Sequence, residues 1–104
     1  MERMEKLKEM LVAEPDDSFL KHALALEYIK IGDMNKAEEL FRSVLAHDPL
    51  YTGSYYHLGM ICLNRGDHAE AVRIFRKGIE ACTQTGNRHS RSELQSALDE
   101  AENI

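Results

Sequence analysis

The chain has 104 residues, of which 43% are hydrophobic and 30% are charged, a balance typical of a soluble globular protein. It contains no run near the ~18 consecutive apolar residues of a membrane helix, no apolar core of a signal peptide, and, at a net charge of −5, no basic face for nucleic acid. Two cysteines are too few for a disulfide scaffold and fit a reducing compartment, so we expect a cytoplasmic protein whose partner is neither a membrane nor a nucleic acid.

Turn-forming residues divide the chain into six predicted helices. Gly32 and Gly66 can adopt the left-handed conformation that ends a helix, and the aspartate after each of them can cap the next helix. Ser90 and Glu93 have the spacing of a capping box. The predicted helices span residues 2–14, 18–31, 34–47, 53–65, 68–85 and 91–103. Because the turns are short, we expect consecutive helices to pack as antiparallel hairpins.

Two segments 34 residues apart are nearly alike: residues 32–41 read "GDMNKAEELF" and residues 66–75 read "GDHAEAVRIF". The same shift aligns further residues of identical or similar type, namely Leu24 with Leu58, Ala25 with Gly59, Ala37 with Ala71, and Phe41 with Phe75. The small residues would let the two helices of a hairpin approach closely, and the bulky ones would fill the space around them. A helix-turn-helix period of 34 residues is the signature of a tetratricopeptide repeat.

On these motifs the chain resembles the tetratricopeptide repeat family over nearly its whole length. The resemblance implies an all-α fold, a short right-handed α-solenoid of antiparallel helical hairpins with about two and a half repeats and a C-terminal capping helix. We expect a single domain, 1–104, with an N-terminal half-repeat helix at 2–14, repeats at 18–49 and 52–85, and the capping helix at 91–103. Thr83 stands where the family has a proline, so the helix before it should continue to Gly86.

The first helix of each full repeat carries apolar residues on two sides, which indicates burial on two sides or a binding face. In segment 18–31, the stripe Leu20, Leu24, Tyr28 and Ile31 is expected to be core. In the family, the first helices line a concave groove. The resemblance implies that the following residues face that groove: Phe19, His22, Leu26, Ile29, Lys30, Tyr56, Met60, Leu63 and Asn64.

These residues predict a protein–protein interaction module that binds a protein or peptide segment. Two alternatives stay open: a homodimer that closes its grooves or exchanges end helices, and a groove filled by a terminal helix of the same chain. Some family members hold a C-terminal carboxylate with Lys, Arg and Asn side chains. The corresponding positions here are His22, Leu26, Gly53 and His57, so that clamp is absent and apolar anchors should dominate binding.

No motif predicts an enzyme, a cofactor or a metal site. Of the five histidines only His22 and His57 could approach each other, and two histidines alone do not make a zinc site; His68 is expected to be half-buried. In a hairpin that turns near Gly66, Cys62 and Cys82 would lie roughly 18 Å apart, too far for a disulfide. We expect Cys62 to be core and Cys82 to be a reachable thiol.

Overall fold

The computed structural model of the chain describes residues 2–103, which form six α-helices and no strand. The helices are α1 (Glu2–Ala13), α2 (Ser18–Lys30), α3 (Met34–His47), α4 (Gly53–Asn64), α5 (His68–Thr85) and α6 (Arg88–Glu102). The all-α prediction is confirmed, and each of the first five helices lies within one residue of its predicted bounds. Among the described helices, none is long and apolar enough to cross a lipid bilayer.

The predicted glycine turns are present at both repeat positions. Gly32 and Gly66 have φ angles of 81° and 90°, the left-handed conformation that disfavours other residues. Asp33 then caps α3, since its Oδ1 atom accepts a hydrogen bond of 3.2 Å from the backbone N–H of Lys36. Asp67 caps α5 in the same way through the N–H of Glu70. These turns end one helix and start the next within three residues.

The turn before α6 differs from the prediction. Helix α5 continues to Thr85 and ends at the left-handed Gly86, as the absence of a proline at residue 83 indicated. Asn87 then caps α6, because its Oδ1 atom accepts a hydrogen bond of 3.1 Å from the N–H of Ser90. Helix α6 therefore begins at Arg88, and the prediction of Ser90 as its cap is wrong. The Asn87 amide also donates to Thr52 Oγ1, 3.0 Å away, at the start of α4.

Residues up to Asp48 form one compact unit, which contains α1, α2 and α3. Two contacts show that helices α2 and α3 are antiparallel. His22 packs edge-on against Phe41, and Lys21, one residue earlier on α2, reaches Ser43, two residues later on α3. Phe41 is fully buried. Lys21 is buried as well. Its Nζ atom donates a hydrogen bond of 2.9 Å to Ser43 Oγ and lies 3.8 Å from Asp16 Oδ1, and both contacts offset the cost of burying the ammonium group. Helix α1 adds buried apolar side chains at Met4 and Leu7.

Residues from Pro49 onward form a second compact unit, which contains α4, α5 and α6. At two glycines in this unit, side chains of a neighbouring helix lie directly against the helix backbone. A Cβ atom at Gly59 would lie 2.6 Å from Phe75 Cδ1, so the ring rests on the bare backbone of α4. A Cβ atom at Gly78 would lie 2.6 Å from the Cβ of Tyr55 and 2.9 Å from Leu94 Cδ1. Gly78 therefore marks the place where α5 lies between α4 and α6.

Three predicted side-chain environments are wrong. Ile31 was expected in the core stripe but is 50% exposed, because α2 ends at Lys30 and Ile31 belongs to the turn. His68 is exposed rather than half-buried, since it is the first residue of α5 and lies before the buried stripe begins. Cys82 was expected to be reachable but is only 1% exposed, and Cys62 is buried too. Helix α6 packs along α5, and the charge of Arg91 in α6 acts on the Cys82 thiol, which places Cys82 near α6 rather than in solvent.

The contact between Gly59 and Phe75 gives the first prediction. Substitution Gly59→Ala should destabilise the protein, because the fully buried ring leaves no room for the added methyl group and such overpacking costs about 1–3 kcal/mol. This loss should outweigh the gain of up to ~1 kcal/mol in helix propensity. Chemical denaturation would measure it. In a double-mutant cycle with Phe75→Leu, the smaller side chain should relieve part of the cost; purely additive effects would show that the ring is not responsible.

The buried cysteines give the second prediction. Burial raises the pKa of the Cys82 thiol, which outweighs the opposite effect of the Arg91 charge, so little thiolate forms near neutral pH. In the native protein, both cysteines should react with a chromogenic thiol reagent far more slowly than in denaturant. Counting the modified thiols over time by mass spectrometry would check this. Rapid labelling of one thiol in the native state, with Cys82 identified as the site, would restore the expectation of a reachable thiol.

Candidate partner-binding faces

Helices α2 and α4 differ from α3 and α5 in how their apolar side chains are arranged. On α3 and α5 the buried residues follow one stripe and the opposite side is charged. On α2 and α4 the stripe against the hairpin partner is accompanied by a second set of apolar residues on another side. A helix that is apolar on more than one side needs a second contact to cover it. These second sides are the candidate binding faces.

The face of α2 holds five of the nine predicted residues. Phe19 is the most open of its apolar side chains, at 63% exposure, whereas Leu26 and Ile29 are half-buried. His22 is also half-buried, and its ring centroid lies 5.4 Å from that of Phe41 at an interplanar angle of 63°. The imidazole therefore contributes to hairpin packing as well as to the face. On this face, the accessible apolar surface belongs to Phe19, Leu26 and Ile29.

The charge of Lys30 is largely compensated within its own unit. Its Nζ atom lies 3.0 Å from Glu27 Oε2, and the same carboxylate oxygen is 3.4 Å from Arg3 Nε of α1. Lys30 is exposed and can bend away, but its ammonium already has a carboxylate partner. We therefore do not expect Lys30 to contribute a strong charge to binding, and the apolar residues remain the main feature of this face.

In the second unit, a groove of about 390 Å³ lies between α4 and α6. Tyr56 and Met60 of α4 line one side, and both are half-buried. Helix α6 contributes the other side, which consists of Glu93, Ser96, Ala97 and Glu100. The groove thus combines an aromatic ring, a flexible thioether and two carboxylates, an arrangement that suits a partner with both apolar and polar side chains.

His57, next to Tyr56 on α4, is electrostatically linked to the carboxylate of Glu93. Burial lowers the pKa of His57 from its ordinary value of 6.5, and the nearby negative charge of Glu93 opposes this shift only in part. His57 is therefore uncharged at neutral pH. As a result its imidazole carries no positive charge that could neutralise the Glu93 carboxylate at the groove.

The structure brings together some of the predicted site residues and adds others. Tyr56 and Met60 lie in one groove, while Leu63 is half-buried and Asn64 is exposed at the end of α4. The groove residues on α6 were not predicted. Their spacing of three, four and seven residues puts Glu93, Ser96, Ala97 and Glu100 on one stripe of a helix, and that pattern could have indicated a shared face. In residues 2–103, histidine, cysteine, aspartate and glutamate form no cluster of three that could hold a metal ion.

The environment of His57 gives the third prediction. Because the folded protein disfavours the imidazolium, the unfolded chain binds a proton more readily than the folded one as the pH falls through about 6.5. The free energy of unfolding should therefore decrease between about pH 7.5 and about pH 5.5, and the variant His57→Gln should lose less over the same range. Denaturation at several pH values would measure this.

A direct titration supplies the control for His57. By NMR, the pKa of His57 should lie below 6.5, and it should fall further in Glu93→Gln, which removes the charge that favours the imidazolium. A His57 pKa that is unchanged by Glu93→Gln would show that the two groups do not interact across α4 and α6.

Comparison with known proteins agrees with the fold of repeated helical hairpins. The tetratricopeptide repeat model matches residues 20–49 and 52–85, together more than half of the chain. A tetratricopeptide repeat domain protein from Salinibacter ruber, known from a crystal structure, is 35% identical with a TM-score of 0.82, over 85% of this chain and 98% of that chain. The TPR repeat-containing protein PA0015 of Pseudomonas aeruginosa is 26% identical over 91 residues, which cover 88% of this chain and 87% of that protein.

Another similar structure was solved as a complex. The TPR2B domain of yeast Sti1, in complex with pHsp70, has a TM-score of 0.88 over 96% of this chain and 80% of that chain. Its sequence identity is 16%, so this likeness concerns the fold alone. Together, the repeat match, the helical hairpins and the similar structures show that the chain belongs to the tetratricopeptide repeat family.

Proposed function

We propose that this protein is an interaction module that binds a segment of a partner protein on the apolar faces of α2 and α4. The observation that carries the proposal is the second apolar side of these two helices. Phe19, Leu26 and Ile29 on α2, and Tyr56 and Met60 on α4, lie outside the buried stripes that close the hairpins. Apolar surface of this kind on a soluble domain is typical of a protein-binding site.

The residue types support a protein partner rather than a small molecule. Aromatic and methionine side chains are enriched at protein interfaces, because they bury a large area and adapt their shape. The groove between α4 and α6 is open along one side rather than enclosed, which suits an elongated segment. The Sti1 TPR2B domain has the same fold, and its complex with pHsp70 supports a protein partner for this domain as well.

We also propose that the protein acts as a non-enzymatic scaffold in the cytoplasm. Proteins of the tetratricopeptide repeat family are generally scaffolds without catalytic activity. Cys62 and Cys82 are both reduced and buried, which fits a reducing compartment. Binding through Phe19, Tyr56 and their neighbours needs no cofactor, because burial of apolar surface supplies the driving force.

The fourth prediction tests the two faces. The double variant Leu26→Glu and Met60→Glu places one charge on each face, and transfer of a carboxylate into an apolar interface is strongly unfavourable. The partners captured by the wild-type protein from its native cytosol should be lost, with binding at least about tenfold weaker for each purified partner. Affinity capture with mass spectrometry, followed by binding titration, would measure this.

A matched control is available on α1. Met10 and Val12 are 52% and 85% exposed and lie outside the proposed faces, so Met10→Glu with Val12→Glu makes the same change of charge and hydrophobicity. This control should retain the partners. Retention of the same partners by both double variants would refute the proposal. Light scattering would measure the molar mass and so distinguish the proposed monomeric module from the homodimer alternative. A tight dimer that buries Tyr56 and Met60 leaves no open face for another protein.

A further inference from the structure

The two carboxylates of the groove between α4 and α6 are arranged in a regular way. Glu93 and Glu100 are seven residues apart on α6, which is close to two full helical turns, so both lie on the same side of the helix roughly 10 Å apart. Ser96 and Ala97 lie between them, opposite Tyr56 and Met60. The groove therefore has Tyr56, Met60 and Ala97 as apolar side chains in its middle, beside Ser96, and a carboxylate toward each end.

Neither carboxylate is neutralised by a permanently charged side chain. In the part of the chain that the structure describes, Glu100 has no ion pair. Glu93 is 3.6 Å from His89 Nε2, but that imidazole is highly exposed and lies at the first turn of α6. His57, the other nearby imidazole, is uncharged at neutral pH because of its lowered pKa. Both negative charges are thus available to a partner.

The arginines near this end of the unit serve other contacts. Arg76 of α5 pairs with Glu102, on a different stripe of α6 from the groove residues. The charge of Arg91 acts on the Cys82 thiol of α5. No lysine or arginine is among the residues that line the groove. The carboxylates of Glu93 and Glu100 therefore give this groove a negative potential that nothing in its lining offsets.

We propose that the groove between α4 and α6 selects a partner protein segment with two basic side chains about 10 Å apart and an apolar side chain between them. This inference rests on the proposed function and names the partner class. The apolar side chain packs against Tyr56 and Met60, and a Lys or Arg reaches Glu93 and Glu100. In an extended segment, residues four apart lie on one face with the residue midway between them, and their backbone separation of roughly 13 Å is within the reach of flexible Lys or Arg side chains. In a helical segment, residues seven apart have it.

The experiment compares three forms of the full chain as baits for a display library of random peptides. The forms are the wild type, the variant Glu93→Gln with Glu100→Gln, and a control with Asp99→Asn and Glu39→Gln. Asp99 and Glu39 are exposed and do not line the groove, so the control has the same net charge as the first variant. Circular dichroism would establish that all three are folded. The most enriched peptide would then be synthesised and its Kd measured for each form.

The proposal expects the wild type and the control to enrich peptides with paired basic residues that flank an apolar one. The groove variant should bind the synthetic peptide about 2- to 30-fold more weakly, and the wild-type affinity should fall as salt is raised. Enriched peptides without a basic preference, or equal binding by the groove variant, would overturn this inference and leave the proposed function standing. If no peptide is enriched on any form, or if the wild type is a dimer closed over Met60, both proposals fail.

Discussion

The close contact between the Phe75 ring and Gly59 is the constraint on which the hairpin of α4 and α5 depends. In the second unit, Phe75 lies against Gly59 so closely that no Cβ atom fits between them. In the first unit, Phe41 and Ala25 occupy the equivalent positions, and both are fully buried. A ring placed this near the backbone of the facing helix removes a large apolar area from water and fixes how the two helices pack.

The binding faces follow from that contact. Because the hairpin closes on the side of α4 that carries Leu58, Gly59 and Cys62, Tyr56 and Met60 lie on another side, where they line the groove with α6. The second helices α3 and α5 have no such surplus, since charged residues cover the side that they do not bury. The two kinds of helix therefore differ in amino-acid composition. The first helix of each hairpin is apolar on two sides, and the second helix is apolar on one side.

The repeat and the caps could be predicted from the sequence because they depend on local rules. Glycine followed by aspartate at a period of 34 residues determines where helices end and begin, whatever packs on them. The turn at Asn87 could not be predicted as easily. Ser90 is the better capping-box candidate by spacing, but Asn87 caps α6 and also donates a hydrogen bond to Thr52, a contact across 35 residues. That tertiary contact accompanies the earlier start of α6 and the burial of Cys82.

In the candidate site, too, only the residues that follow the repeat pattern could be predicted from the sequence. Tyr56 and Met60 could be predicted from the repeat, because their position on the first helix is given by the period. Glu93 and Glu100 lie outside both matched repeats, so no internal copy indicated their surroundings. Only the packing of α6 beside α4 brings these carboxylates next to the apolar pair. The specificity that we infer therefore comes from the end helix, where the repeat pattern stops and the sequence has no second copy to constrain it.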